Sequence, residues 1–131
     1  MKKLKTNNCF VCGQDNPAGL HIDIEDGERF SKAQWIVPQN YVGYDNVLHG
    51  GIMAAILDDM MAHATYSLGL DTLTVHIEMD YRSPSYVGDK LTLEGFLIER
   101  GEGRSIKVGG RILRGETLIA EGTGVMVIAE N

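Results

Sequence analysis

The stretch HGGIMAAILDDMM, His49 to Met61, holds the residues of this chain best suited to chemistry. Ile52 to Leu57 are all apolar, and Met60, Met61, Ala62 and Ala64 follow the two aspartates Asp58 and Asp59. That pattern predicts a buried helix, where a carboxylate needs a reason. Two readings stand. It is either hydrogen-bonded structure, or it faces a cleft and works as a base or nucleophile. On a helix Asp59 points about 100° away from Asp58, so Asp59 is read as structural, accepting a bond from a loop N–H. His63 and His76 are read as packing or surface residues. Cys9 and Cys12 form a C-x-x-C pair. A zinc site takes four ligands, and only His21 offers itself as a third. The pair is therefore expected to be a cysteine-bearing turn on the domain edge, with no metal.

The elements that must position these residues follow from periodicity. LHIDIE puts Leu20, Ile22 and Ile24 on one face, and a turn is expected at Asp26-Gly27. RFSKAQWIVP alternates through Phe30, Ala33, Trp35 and Val37 and stops at Pro38, giving a hairpin. A polar, Gly-containing loop, QNYVGYDNVLHGG, leads into the helix. That helix is expected from about Gly50 to Ser67, roughly 27 Å long at ~1.5 Å per residue, with Gly69 as its stop. Its apolar residues run nearly all round, so other structure should wrap it. Met53, Met60 and Met61 are expected in the core, with an adaptable pocket lining as the less favoured role.

Four β segments follow. TLTVHIEMDYRS places Val75, Ile77, Met79 and Tyr81 on one face and Thr74, His76, Glu78 and Asp80 on the other. DKLTLEGFLIER turns Leu91, Leu93, Phe96 and Ile98 inward, with a bulge at Gly95. RSIKVGGRILR and ETLIAEGTGVMVIAE complete an antiparallel meander. One long helix is the only element able to cover such a sheet. The expected fold is α+β, a curved antiparallel sheet around one central helix.

Composition narrows the partners. The 131 residues suit one domain, 1–131, whose first nineteen form a C-x-x-C segment. The net charge of −6 argues against nucleic acid as the main partner. A nucleic-acid-binding protein with half a zinc site is disfavoured for that reason, and because no second Cys pair exists. The basic start MKKLKTNN leads into no apolar segment, and no run is long enough to span a membrane. A cytoplasmic location and no membrane partner are expected.

Three motifs then combine. His49-Gly50-Gly51 is followed by an apolar run and Asp58, nine residues after the histidine. YRSPSYVGDKL, Tyr81 to Leu91, has the pattern Y-x-x-P-x-x-x-G-D. CFVCGQDNPAGL opens the chain. Together they resemble the hotdog-fold thioesterase superfamily, in its phenylacetyl-CoA-thioesterase (PaaI)-like branch, over nearly the whole length. The resemblance implies acyl-CoA thioester hydrolysis without a cofactor. It places the catalytic carboxylate on Asp58, an oxyanion-binding amide on the N–H of Gly50, and a water-placing hydroxyl on Thr74. His49 would orient the loop or donate a bond. Asn46, Gly51, Arg82, Ser83 and Arg104 are the expected substrate contacts, the arginines for CoA phosphates. Some relatives carry Asn or Gln six residues before the histidine. Here that position is Gly43.

The chemistry suits these residues. A helix N-terminus supplies free N–H groups and a positive dipole end, and glycines let a substrate approach closely. Gly50 and Asp58 lie eight residues apart, roughly 12 Å along the axis, so one carbonyl cannot touch both. Two antiparallel helices across a two-fold axis would bring Gly50 of one copy to Asp58 of the other. A homodimer is therefore expected, and the resemblance implies a dimer of dimers. A non-catalytic acyl-CoA-binding or regulatory protein is the alternative. The D-x-N-P-x-H pattern of hydratases is only faintly matched by Asp15 to His21, with the wrong spacing and far from the helix.

Overall fold

Alternation decides which side chains enter the core. The computed structural model describes residues 5–129. Strand β1 (Glu25–Gly27) pairs with β2 (Phe30–Ile36), and helix α1 (Gly50–His63) follows. Four longer strands complete the chain: β3 (Thr72–Tyr81), β4 (Lys90–Arg100), β5 (Ser105–Arg114) and β6 (Thr117–Ile128). They form one antiparallel sheet in the order β1-β2-β4-β5-β6-β3. This is the hotdog fold expected from the sequence. Ser31, Ala33, Trp35 and Val37 are buried on β2 and beyond, and Leu91 and Leu93 on β4. Met53, Ile56, Leu57 and Met60 of α1 pack against them, and Met61 packs with Ile106 and Val108 of β5 and Met126 of β6. The helix methionines are core residues.

Gly95 explains how closely the helix sits. It is not a bulge: it stays in register with Ser31 on one side and Gly110 on the other. A Cβ there would lie 2.1 Å from the carbonyl oxygen of Met60. The glycine lets the helix backbone touch the sheet, and the Ser31 hydroxyl donates to that same carbonyl at 2.6 Å. The register shift in β4 falls instead between Leu97 and Glu99. With no bulge at 95, the inward face runs Leu91, Leu93, Gly95 and Leu97. Phe96 is only half-buried and Ile98 is exposed, contrary to expectation.

Other boundaries moved for local reasons. The first hairpin turns at Glu28-Arg29, with Arg29 at φ 62°, because Asp26 is held in the strand by its bond to His63. Phe30 consequently points outward. Leu20 and Ile22 are buried but pair with the N-terminal loop: their N–H groups donate to the carbonyls of Phe10 and Val11. The helix ends at His63, short of Ser67. Thr65 takes the Ala62 carbonyl with its hydroxyl at 2.7 Å, and a 3-10 turn over Tyr66–Leu68 follows. Gly69 ends that turn at φ 72°.

The last four strands are not one meander. Strands β4, β5 and β6 are, but β3 pairs with β6 and forms the far edge. Residues 82–89 carry the chain back across to β4, and a clamp holds that loop. Asp89 accepts from the Tyr86 N–H at 2.9 Å, from Arg114 at 2.9 Å and from Ser85 at 3.3 Å. No helix among the described residues is long and apolar enough to cross a membrane.

Candidate functional site

Helix α1 begins at a built N-terminus. His49 is the cap, and its Nδ1 accepts the Gly51 N–H at 2.8 Å. Accepting there leaves the ring proton on Nε2. The His49 carbonyl takes the N–H groups of Ile52 and Met53. Among the described residues this leaves the Gly50 N–H without an acceptor. The Gly50 carbonyl receives the Tyr81 hydroxyl at 2.7 Å, tying the helix start to the end of β3. Gly43 sits against the His49 ring: a Cβ at 43 would lie 3.4 Å from His49 Cδ2. Asn46 adopts φ 67° in the preceding loop, and its carbonyl accepts the Val87 N–H. It is a turn residue, with an exposed side chain.

Two turns along the helix, Asp58 meets β3. The Thr74 hydroxyl donates to Asp58 Oδ1 at 2.5 Å. A bulge makes this contact. The β3–β6 register shifts between Thr74 and His76, leaving Val75 extra. Thr74 therefore shares the helix-facing side with Met79 and Tyr81, whereas strict alternation puts it on the opposite face. His76 is exposed and bonds to Glu78 at 3.0 Å.

The expected cation pair does not converge in one chain. Arg82, after β3, is bound to Glu121 at 3.1 Å and Asp80 at 3.5 Å. Ser83 beside it uses its N–H on the Ile119 carbonyl. Arg104 lies at the opposite end of the sheet, where its carbonyl accepts the Ile128 N–H, next to the start of β3. Gly50 and Asp58 likewise remain a helix length of about 12 Å apart.

Asp59 faces a different environment. The Cys9 thiol donates to its Oδ1 at 3.6 Å, and His63 Nε2 lies 3.6 Å from Oδ2. Cys12 Sγ is 3.3 Å from the same His63 nitrogen. On its other side His63 bonds Asp26 through Nδ1 at 2.6 Å. Burial pushes the Asp59 carboxyl upward against the pull of His63, and burial together with Asp59 pushes the Cys12 thiol up. Sequence reading missed this cluster. His21 is not in it: its ring bonds the Asn16 carbonyl, and it is exposed. Neither is Asp59 bonded to a loop N–H, nor is His63 mere packing. The one available signal was Asp59 and His63 standing four apart on a helix.

Comparison with known proteins defines the class. Residues 45–121, from the loop before α1 into β6, match the family model of the Thioesterase superfamily. This chain belongs to that superfamily. Over 78 residues, 60% of its length, it is 30% identical to an Archaeoglobus fulgidus protein named "Putative esterase". The match covers 51% of that protein, so the chain spans about half the length of this curated relative. Among solved structures, the E. coli PaaI protein of the phenylacetic acid degradation operon is 23% identical with a TM-score of 0.78, over 86% of this chain and 82% of that one. A hypothetical thioesterase of Streptococcus pneumoniae TIGR4, solved with coenzyme A, is 21% identical with a TM-score of 0.77, over 84% and 90%. Two mutants of that streptococcal protein have also been solved. In one an aspartate, and in the other a threonine sixteen positions later, is replaced by alanine.

Proposed function

We propose that this protein hydrolyses the thioester of small aryl- or short- to medium-chain acyl-CoAs, giving the free acid and CoA. The observation that carries the reading is the Thr74–Asp58 contact beside a helix N-terminus with an open N–H. Asp58 activates water, or attacks, with the oxygen that Thr74 leaves free. The Gly50 N–H meets the carbonyl oxygen as it becomes negative. His49 and Tyr81 fix the first helical turn around that donor. The streptococcal pair of mutated residues has the same spacing as Asp58 and Thr74, which supports this pairing, and its bound coenzyme A supports the substrate class. PaaI supports an aryl-acyl substrate among the candidates. Asn46, Gly51, Arg82, Ser83 and Arg104 stand as substrate contacts of the assembled site.

The site is shared between two copies. In one chain the donor and the carboxylate cannot reach one carbonyl. Strand β3 supplies the surface for pairing: it is a ten-residue open edge, on which Leu73, Val75, Ile77 and Tyr81 are exposed. Such an edge calls for a partner strand, and a second β3 is the self-complementary choice. Two such dimers form the expected tetramer.

Thiol release from a panel of aryl- and fatty-acyl-CoAs, by wild type and Asp58→Asn in parallel, tests the reading. The expected result is turnover of some member and a loss of at least ~100-fold in kcat in the variant, roughly 2.7 kcal/mol of barrier. Binding of acyl-CoA with no release by either protein would make this a binding or regulatory protein, a reading Gly43 keeps in view.

A further inference from the structure

The N-terminal loop and the buried face of α1 bring two thiols and a carboxylate together with a histidine beside them, and nothing in the hydrolytic chemistry uses them. One ligand atom each of Cys9, Cys12 and Asp59 lies within 4.8 Å of the others. His63 joins through Nε2, 3.3 Å from Cys12 Sγ and 3.6 Å from Asp59 Oδ2. We propose that Cys9, Cys12, Asp59 and His63 bind one zinc ion, in a closed structural site that clips the N-terminal segment to the helix beside Asp58.

Geometry is the first support. Tetrahedral zinc with sulfur at ~2.3 Å and nitrogen or oxygen at ~2.0 Å sets its ligand atoms roughly 3.3–3.8 Å apart. With Oδ2 as the Asp59 ligand atom, two of the six edges already have that length, Cys12–His63 at 3.3 Å and Asp59–His63 at 3.6 Å, and Cys9 lies 3.6 Å from the other oxygen of the same carboxylate. The donor set, two thiols with an imidazole and a carboxylate, is the borderline-soft mixture zinc favours over magnesium or calcium.

The surroundings of the histidine are the second support. Asp26 accepts from His63 Nδ1 at 2.6 Å. That bond puts a ring proton on Nδ1, so the neutral ring presents its Nε2 lone pair to the sulfur and carboxylate. A carboxylate holding the far side of a ligand histidine is the usual outer partner of a zinc site. It also accounts for Asp26 staying in β1 when its sequence favours a turn.

Asp59 Oδ2 is the third. It is buried and has no hydrogen-bond partner, a costly arrangement for a carboxylate oxygen. A cation satisfies it. Binding displaces the two thiol protons to solvent, and two thiolates, one carboxylate and Zn²⁺ leave a net charge of −1.

The loop is shaped to present the cysteines. The Gly13 N–H closes the C-x-x-C turn on the Cys9 carbonyl at 2.9 Å. A Cβ at Gly13 would stand 2.3 Å from the Cys9 nitrogen, so only glycine fits. Four protein ligands leave no open position, which marks a structural rather than a catalytic ion.

Metal content tests this without reference to activity. The protein is purified reduced, stripped of metal, and titrated with Zn²⁺ and with Co²⁺ as a spectroscopic probe. We expect one equivalent of either ion per chain, tetrahedral visible bands and a thiolate-to-cobalt charge-transfer band. Cys12→Ser should weaken that band, Asp26→Asn should weaken zinc binding about 10- to 100-fold, and His21→Ala should change neither. Zinc should raise the unfolding temperature of wild type. If the reduced wild-type protein takes up neither ion, the site does not exist, and the cluster is a hydrogen-bonded imidazolium or a reversible Cys9–Cys12 disulfide. An unchanged cobalt spectrum in a folded Cys12→Ser would overturn it equally. The wild-type stoichiometry and Asp26→Asn keep the test sound if a cysteine variant does not fold.

Discussion

Adjacent residues on one helix have separate tasks. Asp58 looks out to Thr74 on β3, while Asp59 looks in to two thiols and a histidine. The 100° step between helix neighbours is the whole cause. If Thr74 holds Asp58 for catalysis, removing only its hydroxyl should tell. Thr74→Val keeps the shape and the strand propensity. A lost hydrogen bond to a charged group amounts to about 1.5–3 kcal/mol, so kcat should fall about 10- to 100-fold with KM changed little. Steady-state kinetics checks this, and an unaltered kcat would leave Thr74 a strand residue only.

At the scale of elements, close approach and a clamped loop set the frame. Gly95→Ala forces a methyl toward the Met60 carbonyl. The helix or β4 must shift, and overpacking of this kind costs about 1–3 kcal/mol. A lower unfolding temperature by calorimetry is the expected result. The 82–89 loop depends on Asp89. Partial burial raises its carboxyl, but the Tyr86 N–H and Arg114, with Ser85, outweigh this and hold it below the usual range. Its folded value therefore lies under the unfolded ~3.9. The stabilisation is complete above that pH and fades as pH falls through the folded value. Asp89→Asn should thus be less stable than wild type near neutrality, and the two unfolding curves should converge in strong acid. A gap that stays constant with pH would contradict this origin.

Legibility in the sequence followed the range of the interaction. The helix start at Gly50 and the order of elements were readable, because period and motif act over a few residues; the capping role of His49, which accepts from the Gly51 N–H, was not. The inward face of β4 was misjudged beyond Leu93, since a glycine admitting a helix and a glycine making a bulge look alike in a sequence. Thr74 was assigned to the wrong face because the bulge at Val75 leaves no mark in the alternation. The partners of Asp59 and His63 lie some fifty residues away in the N-terminal loop, and no local pattern announces them.

The whole molecule is defined by its open edge. Leu73, Val75 and Ile77 are exposed on β3, and the proposed dimer covers them. A lysine on such an edge blocks strand pairing. Val75→Lys, at a position 59% exposed in the single chain, should leave the subunit folded but monomeric by light scattering, and should abolish thiol release. A monomer that keeps full activity would refute the shared site.

The sharing itself can be measured directly. Gly50→Pro removes the N–H and sets a ring in its place at a position that accepts one: proline suits the first helical position, His49 before it is already extended at φ −62°, ψ 132°, and a Cβ at 50 makes ordinary contact with Tyr81 at 3.5 Å. Asp58→Asn removes only the carboxylate charge. Each variant alone should be inactive. A heterodimer of the two, isolated through different tags, has one site with an intact Gly50 from one copy and an intact Asp58 from the other. On the best acyl-CoA of the panel it should recover about half of the wild-type kcat per dimer. A heterodimer as inactive as its parents would show that donor and carboxylate do not meet across the interface, and the account of the site would fail.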